Sequence, residues 1–450
     1  MTPSVSIVGS GLTGPLLATI LAKRSGLKVD IFERSEDPRI SNKFSGRSIN
    51  LALSKRGIDA LKYADVYNSA FESLLIPMYG RTIHSKEGDV TFQPYGNKKE
   101  HFINSVSRAS INEMLINDAE NTKNVDIHFN MNCDRADLLN GKLYFGDTTC
   151  SIDSPIIGAD GYKSVISKNI SSLNQVELEY VSIEHSYKEL TIPSKNNEYQ
   201  LEPNSLHIWP RRNMMMIALP NLDRSFTCTL FMKSSGVESF ESIVDSQSLM
   251  SFFEENFNDT LDLFFDIEND FFNNPTGNLI GLRVPSWYYE NKGLVIGDAA
   301  HATVPFYGQG MNASFEDSQI LGTIIDGFNA VFDWGEIFQN FFKIRKNDAD
   351  SILDLSLDNY KVMRNDVLDS KHVSKQKLAF SLYDKFPDRF IPLYTMISFT
   401  NIPYSIALER GKIQSLILDE ILSIGEVSLD SPYIINLINK RLTKIDTYEN

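Results

Sequence analysis

The chain has 450 residues and a formal net charge of -15 at pH 7, with 22% of its residues charged. This length predicts roughly two to three domains, and the acidic balance argues against nucleic acid or an anionic membrane as the main partner. The three cysteines, Cys133, Cys150 and Cys228, are scattered, so we expect a reducing compartment, no disulfide framework and no metal site. Since no signal peptide and no run of about 18 apolar residues is visible, we expect a soluble, cytoplasmic protein without a membrane anchor.

The N-terminal segment predicts a strand, a helix and a second strand. Residues 4–9 are apolar, residues 15–25 have a helical pattern, and residues 28–33 are again strand-like. Two strands joined by a helix form a parallel β-α-β unit.

The first strand leads into Gly9-Ser10-Gly11-Leu12-Thr13-Gly14, a G-x-G-x-x-G pattern that opens the predicted helix. Gly9 makes the tight turn, Gly11 lets the backbone approach a pyrophosphate, and Gly14 lets the helix pack closely on the strand. The phosphates would lie at the helix N-terminus. Glu33 ends the second strand, where a carboxylate accepts a hydrogen bond from an adenosine ribose. This motif predicts a dinucleotide but does not separate FAD from NAD.

The rest of the chain changes in character several times. Long β-type runs over about residues 176–232 predict antiparallel strands, residues 236–256 look helical, and an apolar strand returns near residue 293. After residue 311 most of the chain predicts helices, which Pro387, Pro392 and Pro403 should break. The predicted fold class is α/β: a dinucleotide-binding, Rossmann-like domain of the glutathione-reductase type, with an inserted antiparallel β-sheet domain that would hold the substrate and a helical C-terminal region. The predicted boundaries are 1–175 and 276–330 for the cofactor domain, 176–275 for the β-rich domain, and 331–450 for the helical region.

A second motif follows the returning strand. The strand ends on Gly297-Asp298, and the chain then runs through Pro305-Phe306-Tyr307 to Gly308-Gln309-Gly310-Met311-Asn312. If the dinucleotide is FAD, Asp298 can accept from the ribityl hydroxyls, and the backbone around Gly310 can face the flavin pyrimidine. The helix that opens at Met311-Asn312 would stabilise an anionic reduced flavin.

Two further segments complete the predicted cofactor site. Pro305 and Phe306 would form the wall beside which the oxygen chemistry takes place, with water kept out. Ala159-Asp160-Gly161 follows another predicted strand and could also approach the cofactor.

Together these segments resemble the fingerprints of the single-component FAD aromatic hydroxylases of the para-hydroxybenzoate hydroxylase type. A narrower resemblance, to the kynurenine 3-monooxygenase family, rests on the strings GRSINLALSKRGIDAL, LHIWPR, SFTCTLF, GDAAHATVPFYGQGMNASFED and FIPLYTMISF. This resemblance implies hydroxylation of L-kynurenine to 3-hydroxy-L-kynurenine with NADPH and O₂, through an FAD C4a-hydroperoxide. It also implies a place in tryptophan catabolism, on the kynurenine pathway that leads to pyridine nucleotides, and a monomer or homodimer.

The resemblance further implies roles for individual residues. Arg81 and Tyr95 would bind the amino-acid carboxylate of the substrate, together with Asn359 and Tyr394. Pro305 and Phe306 would act at the reaction centre, and no general base is needed because the aniline amine already activates the ring. The aromatic ring of the substrate would contact Leu206, Ile217, Leu219, Phe231, Met363 and Phe306. The cofactor would contact Gly9, Gly11, Gly14, Glu33, Ala52, Arg108, Cys133, Asp160, Asp298, Gly310, Met311 and Asn312.

Two alternative functions stay open at this point. The chain could be a related FAD hydroxylase that acts on another aromatic acid, or a non-catalytic FAD-binding redox or interaction module. No second G-x-G-x-x-G marks an NADPH site, and Tyr307 stands at a loop position where family members differ. The segment after Gly411 is interrupted by charged residues, and therefore resembles the family members that have no C-terminal anchor.

Overall fold

The computed structural model describes residues 3–40, 50–328, 331–363, 370–425 and 428–445. The strands within these ranges are β1 (Ser4–Val8), β2 (Lys28–Phe32), β3 (Asn50–Leu53), β4 (Ile76–Met78), β5 (Gly80–His84), β6 (Val90–Pro94), β7 (Ile103–Ser107), β8 (Val125–His128), β9 (Arg135–Asp137), β10 (Lys142–Phe145), β11 (Thr148–Ser151), β12 (Ile156–Gly158), β13 (Glu179–Ile192), β14 (Leu206–Arg211), β15 (Met214–Pro220), β16 (Phe226–Lys233), β17 (Gly277–Arg283), β18 (Tyr288–Tyr289) and β19 (Gly293–Val295). The α-helices are α1 (Thr13–Ser25), α2 (Lys55–Tyr63), α3 (Ser69–Glu72), α4 (Arg108–Asn121), α5 (Val165–Leu173), α6 (Ser246–Asn256), α7 (Ile267–Asn273), α8 (Asp298–His301), α9 (Gly310–Asp326), α10 (Trp334–Lys361), α11 (Ser370–Lys385), α12 (Leu393–Phe399), α13 (Tyr404–Ile424) and α14 (Pro432–Arg441).

The chain divides into two compact units. The first comprises Met1–Leu75, Val106–Ile183 and Leu279–Leu353, and the second comprises Ile76–Ser105, Glu184–Asn278 and Asp354–Asn450. The domain boundaries expected after residues 175, 275 and 330 rest on changes in the sequence pattern, and they stay predictions. Along the sequence, the two compact units alternate more often than these boundaries, since Ile76–Ser105 belongs to the second unit.

The first unit is built on a sheet with the strand order β18-β19-β12-β1-β2-β8. Neighbouring strands are parallel, apart from the antiparallel pair of β18 and β19. The central strand β1 has Val5 and Ile7 fully buried, as expected for a parallel strand covered on both faces. The predicted β-α-β unit is confirmed, although α1 begins at Thr13, two residues before the predicted Pro15.

The second unit contains a sheet in which β13, β16, β15, β14, β5 and β6 are consecutive neighbours. From His185 onward these strands pair antiparallel, except that β14 runs parallel to β5. One face of the sheet contributes side chains such as Trp209, Met216 and Leu230 to an apolar cluster with α6 and α7. The opposite face carries Arg81 and is described below.

The helical C-terminal region is also present, and proline residues shape it. Helix α11 ends at Lys385, before Pro387, and α12 and α13 begin directly after Pro392 and Pro403. The predicted fold class is therefore confirmed. The helix expected over 236–256 is shorter than predicted, because Asp245 accepts a hydrogen bond from the Ser248 N–H and caps α6 only at that point. Residues 364–369, within another predicted helical stretch, lie outside the described residues.

Candidate functional site

The glycine turn of the first unit is shaped by contacts that exclude side chains. Gly9 has a φ of +107°, and a Cβ on it would lie 2.5 Å from the carbonyl oxygen of Ala159. A Cβ on Gly14 would lie 2.0 Å from the Gly9 carbonyl oxygen, whereas a Cβ on Gly11 would meet no atom of the other described residues within 4 Å. Packing therefore requires glycine at positions 9 and 14, and at position 11 it leaves open space where a ligand can approach the backbone.

Two side chains hold this turn in place. The Glu33 carboxylate accepts hydrogen bonds from the N–H groups of Ser10 (2.6 Å) and Ser35 (2.8 Å). Asn112 in α4 donates from Nδ2 to the carbonyls of Ser10 (3.1 Å) and Gly11 (3.0 Å). Sequence reasoning found Glu33 but missed Asn112, which lies in an ordinary amphipathic stretch and belongs to no motif.

Asp160 lies at the turn after β12 and retains hydrogen-bonding capacity. Its Oδ2 accepts from the Val165 N–H at 2.8 Å, and its buried Oδ1 has no hydrogen-bond partner among the described residues. Burial raises the pKa of Asp160, and hydrogen bonds from Ser164 and Val165 offset this only in part. Burial and the nearby Asp160 raise the pKa of the Cys133 thiol to about 12, so Cys133 stays a neutral thiol.

The Gly297-Asp298 turn lies between the glycine turn and α9. Gly297 has a φ of +61°, and a Cβ on it would lie 3.0 Å from both Thr13 Oγ1 and Ser314 Oγ. The Asp298 side chain is accessible to solvent, although protein atoms crowd around it. This desolvation raises the pKa of Asp298, and the positive charge of Arg108 offsets the shift in part. Asp298 and Arg108, predicted from separate segments, are therefore electrostatic neighbours.

The loop after α8 leads into α9 through a short 3-10 turn, Pro305–Tyr307, in which Pro305 is exposed and Phe306 is buried. Asn312 then fastens the start of α9. Its Oδ1 accepts from the Ser54 N–H at 2.8 Å, and its Nδ2 donates to the carbonyls of Ala52 (2.8 Å) and Gly308 (2.9 Å). The structure thus brings three predicted positions together, Ala52, Asn312 and the turn before Gly310. The neighbouring Met311 packs into an apolar cluster with residues of α2 and α4.

Beneath these turns lies a network of buried charges that sequence reasoning missed. Arg345 of α10 pairs with Asp317 (2.7 Å) and Glu316 (2.8 Å) of α9, and Glu316 also pairs with Arg56 of α2 (2.5 Å). The Asp317 carboxylate further accepts from His301 Nε2 at 2.5 Å. Burial opposes ionisation of Asp317, but His301 and Arg345 outweigh it and lower the pKa of that carboxyl. The available sequence signal was the adjacent pair of acids, Glu316 and Asp317, within a helix that also carries an apolar pattern.

These features fit an extended dinucleotide such as FAD. Within the first unit, a ligand can approach the backbone at Gly11. Two acceptors are also available to it: Oδ1 of Asp160, which has no partner among the described residues, and the accessible Asp298 carboxylate. The N-cap residue Leu12 has no side-chain hydrogen bond to the first turn of α1, and this turn carries no acidic residue. The positive end of that helix therefore stays available to phosphate groups.

In the second unit, Arg81 lies against two tyrosines. Its guanidinium carbon is 5.5 Å from the ring centre of Tyr95 and 4.9 Å from that of Tyr394. The two tyrosine rings stack with centres 4.9 Å apart and an interplanar angle of 10°. Burial, followed by the effect of Tyr394, raises the pKa of Tyr95 well above its usual value. Tyr95 therefore keeps its hydroxyl proton at physiological pH.

The sheet register places the predicted ring-contacting residues on the same face as Arg81. Leu206 lies directly opposite Arg81, and Ile208, two residues along, lies opposite Ile217. Directly opposite residues point to the same face, and so do alternate residues of one strand. Met215 and Leu219 alternate with Ile217 along β15, and Phe231 lies directly opposite Met215. The four predicted strand residues, Leu206, Ile217, Leu219 and Phe231, therefore lie on the same face as Arg81.

Asn359 and Met363 belong to the end of α10 and the turn after it. They lie four residues apart and so share one side of the helical path. Their neighbour Tyr360 packs edge-on against His185 of β13, with ring centres 5.3 Å apart. Because His185 alternates with Tyr187, the partner of Phe231, this end of α10 contacts the Arg81 face of the sheet at β13. Phe306 belongs to the first unit, so its place in the ring pocket stays a prediction.

Comparison with known proteins agrees with this architecture. A family model described as an NAD(P)-binding Rossmann-like domain matches residues 7–54, and one described as an FAD binding domain matches residues 280–327. The kynurenine 3-monooxygenase of Cytophaga hutchinsonii is 42% identical over 100% of both chains, and that of Flavobacterium johnsoniae is 40% identical over 98% of this chain and 99% of its own. The solved structure of CtdE in complex with FAD and a substrate has a TM-score of 0.66 at 16% identity, covering 94% of this chain and 100% of that one, which is a likeness of fold.

A Rossmann-like unit that carries this glycine turn and the Gly297-Asp298 turn, joined to an antiparallel sheet, defines an FAD-dependent aromatic monooxygenase. Identity of about two residues in five with full-length relatives narrows the class. The chain belongs to the kynurenine 3-monooxygenase family. In the described part of the chain, no helix is long and apolar enough to cross a membrane. Among the same residues, no cluster of three or more His, Cys, Asp or Glu side chains could hold a metal ion.

Proposed function

We propose that this enzyme hydroxylates L-kynurenine to 3-hydroxy-L-kynurenine, using NADPH and O₂, as a step of tryptophan catabolism. The observation that carries the proposal is the face of the second unit on which Arg81, two tyrosines and a patch of apolar side chains lie together. Kynurenine has the matching parts, an amino-acid carboxylate at one end and an apolar aromatic ring at the other. The names of the full-length relatives support the same substrate.

Arg81 would bind the carboxylate. A guanidinium offers two parallel N–H donors that match the two oxygens of a carboxylate. The flanking rings of Tyr95 and Tyr394 hold the guanidinium through cation–π contacts, and so less conformational entropy is lost when the substrate binds. The protonated Tyr95 hydroxyl adds a further donor, and Asn359 would add an amide from the helical side.

The apolar strand residues Leu206, Ile217, Leu219 and Phe231 would bind the aromatic ring, together with Met363. The aniline amine already donates electron density to the ring carbon beside it, so the protein needs to supply no general base. Bound FAD would supply the redox chemistry, taking reducing equivalents from NADPH and activating O₂. The remaining task of the chain is to orient the ring and exclude water. We propose that Pro305 and Phe306 exclude water.

Anaerobic mixing of the purified FAD-loaded protein with NADPH, with and without L-kynurenine, tests this function. We expect kynurenine to accelerate the bleaching of the visible flavin absorbance, and admission of O₂ then to yield 3-hydroxykynurenine. Bleaching that responds to another aromatic acid but not to kynurenine would identify a related hydroxylase. NADPH consumption that no aromatic compound stimulates would contradict the proposal.

The substitution Arg81→Met tests the carboxylate assignment. Loss of a bidentate, charge-assisted contact should raise KM for kynurenine by roughly 100-fold, while the rate of NADPH oxidation without substrate stays the same. Arg212→Met is the matched control, because Arg212 is exposed at the turn between β14 and β15. Unchanged KM in Arg81→Met would remove Arg81 from the substrate site.

A further inference from the structure

The Asp317 carboxylate accepts hydrogen bonds from both ends of α8, the short helix that begins at Asp298. Its Oδ2 accepts a hydrogen bond from the N–H of Gly297 at 3.0 Å and another from His301 Nε2 at 2.5 Å. Gly297 immediately precedes α8, and His301 is its last residue. One carboxylate oxygen therefore closes the whole turn from Gly297 to His301.

The turn needs such a support. Gly297 has φ +61° and ψ -141°, which lies close to a backbone region that glycine alone adopts readily. Its N–H points into the protein, where a buried donor without an acceptor is costly. Asp317 is itself fully buried and is fixed from its other oxygen by Arg345 Nε at 2.7 Å. A rigid anion thus accepts the hydrogen bond of the buried N–H group of Gly297.

We propose that Asp317 is a positioning residue for the cofactor: it holds the Gly297-Asp298 turn in the shape that presents the Asp298 carboxylate to the ribityl chain of FAD. Asp317 would act on the cofactor only through this turn. The inference rests on the proposed contact between Asp298 and FAD. It assigns a role to a residue of α9 that lies outside the glycine and Gly-Asp motifs.

The test is a double-mutant cycle on FAD affinity, measured by titrating apoprotein into FAD and following flavin fluorescence. An asparagine at position 317 offers one acceptor oxygen in place of two, so its amide NH₂ must face either Arg345 or the turn, and both present donors. We expect Asp317→Asn to raise the Kd for FAD by about tenfold, the loss of one buried charge-assisted hydrogen bond. Asp298→Ala should raise the Kd at least as much, and the double variant should bind FAD no more weakly than Asp298→Ala alone.

Asp348→Asn is the matched control. Asp348 pairs with the same Arg345 guanidinium, from within α10 and at 3.6 Å, so this variant also removes a charge from the network. We expect its affinity for FAD to be unchanged. Thermal melting of each apoprotein reports whether the variants fold.

Equal and independent losses in the single variants, which multiply in the double variant, would show that Asp317 acts elsewhere and overturn the inference, as would an unchanged Kd in Asp317→Asn. An unchanged Kd in Asp298→Ala would show that the proposed contact of Asp298 itself has failed. Should Asp317→Asn not fold, His301→Phe keeps a ring beside Trp287 and removes one donor to Oδ2. Its smaller loss of affinity must likewise vanish in the Asp298→Ala background.

Discussion

Replacing Asn312 with alanine should weaken the first unit and its hold on FAD together. The Asn312 side chain is fully buried and makes three backbone hydrogen bonds of 2.8–2.9 Å, to Ser54, Ala52 and Gly308. A Cβ on Gly57 would lie 2.5 Å from its Oδ1, so the amide fits into a space that only glycine leaves open. Asn312 thereby joins the loop after β3 to the start of α9.

The size of the effect follows from the three groups left behind. Each buried N–H or carbonyl that loses its partner costs about 1–3 kcal/mol, and a water in the space of the lost amide would satisfy part of this set. We therefore expect Asn312→Ala to lower the free energy of unfolding by about 3 kcal/mol. For a unit of this size that corresponds to a fall in Tm of roughly 6–12 °C.

The measurement is thermal unfolding of the apoprotein by circular dichroism, followed by titration with FAD. Asn347→Ala serves as the comparison, because Asn347 is exposed on α10 and its replacement should leave Tm within a degree or two. A Tm for Asn312→Ala close to that of Asn347→Ala would refute the reasoning. The buried amide would then not be what fixes the start of α9.

Three further predictions concern the glycine turn, the sheet and the tyrosine pair. Gly11→Ala should leave the Tm of the apoprotein unchanged but weaken FAD binding. Gly14→Ala should lower both the Tm and the affinity for FAD, since its Cβ would lie 2.0 Å from a carbonyl oxygen. Equal behaviour of the two variants would contradict the packing argument. Burial, followed by His207 and Arg211, lowers the pKa of His84 to about 4. Because an unfolded histidine titrates near pH 6.5, stability should rise by roughly 3 kcal/mol between pH 4 and 6.5 on account of this group, and His84→Gln should flatten that part of the Tm profile. Tyr95→Phe should raise KM for kynurenine about tenfold with Tm unchanged, and a fall in kcat alone would argue against a binding role.

The glycine turn was predictable because its physical cause is local. Three requirements act within six consecutive residues, Gly9 to Gly14: a tight turn, an approach to phosphate and a close helix contact. Each requires a glycine, and the three glycines follow in that order. The breaks before α12 and α13 were predictable for the same reason, since Pro392 and Pro403 act on the backbone where they stand. The shortened helix over 236–256 shows the limit, because the capping residue Asp245 lies within a segment whose pattern is helical on both sides.

The rest of the candidate site could not be predicted from pattern alone, because its partners are far apart in the sequence. Asn112 acts on Ser10 and Gly11 across about a hundred residues, and Arg345 reaches back to Asp317 in a different helix. Charged side chains in a helix usually predict a solvated face. Only the fold shows that these are buried and paired.

The register between β5 and β14, which decides the side chains of the Arg81 face, is set by polar contacts on the other face of the sheet. Thr82 and His84 of β5 alternate with Arg81 and therefore point away from it. Thr82 Oγ1 meets Ser205 Oγ at 2.6 Å, and His84 Nε2 meets His207 Nδ1 at 2.9 Å. The carbonyl of Glu202 lies 2.9 Å from His207 Nε2, so that nitrogen carries the proton and Nδ1 accepts from His84.

A slip of one residue between β5 and β14 would break both of these buried bonds and turn every side chain of the moved strand to the opposite face. His207 and Trp209 would then replace Leu206 and Ile208 beside Arg81. Each buried polar atom left without its partner would cost about 1–3 kcal/mol. The opposite face of the sheet therefore determines which side chains lie beside Arg81.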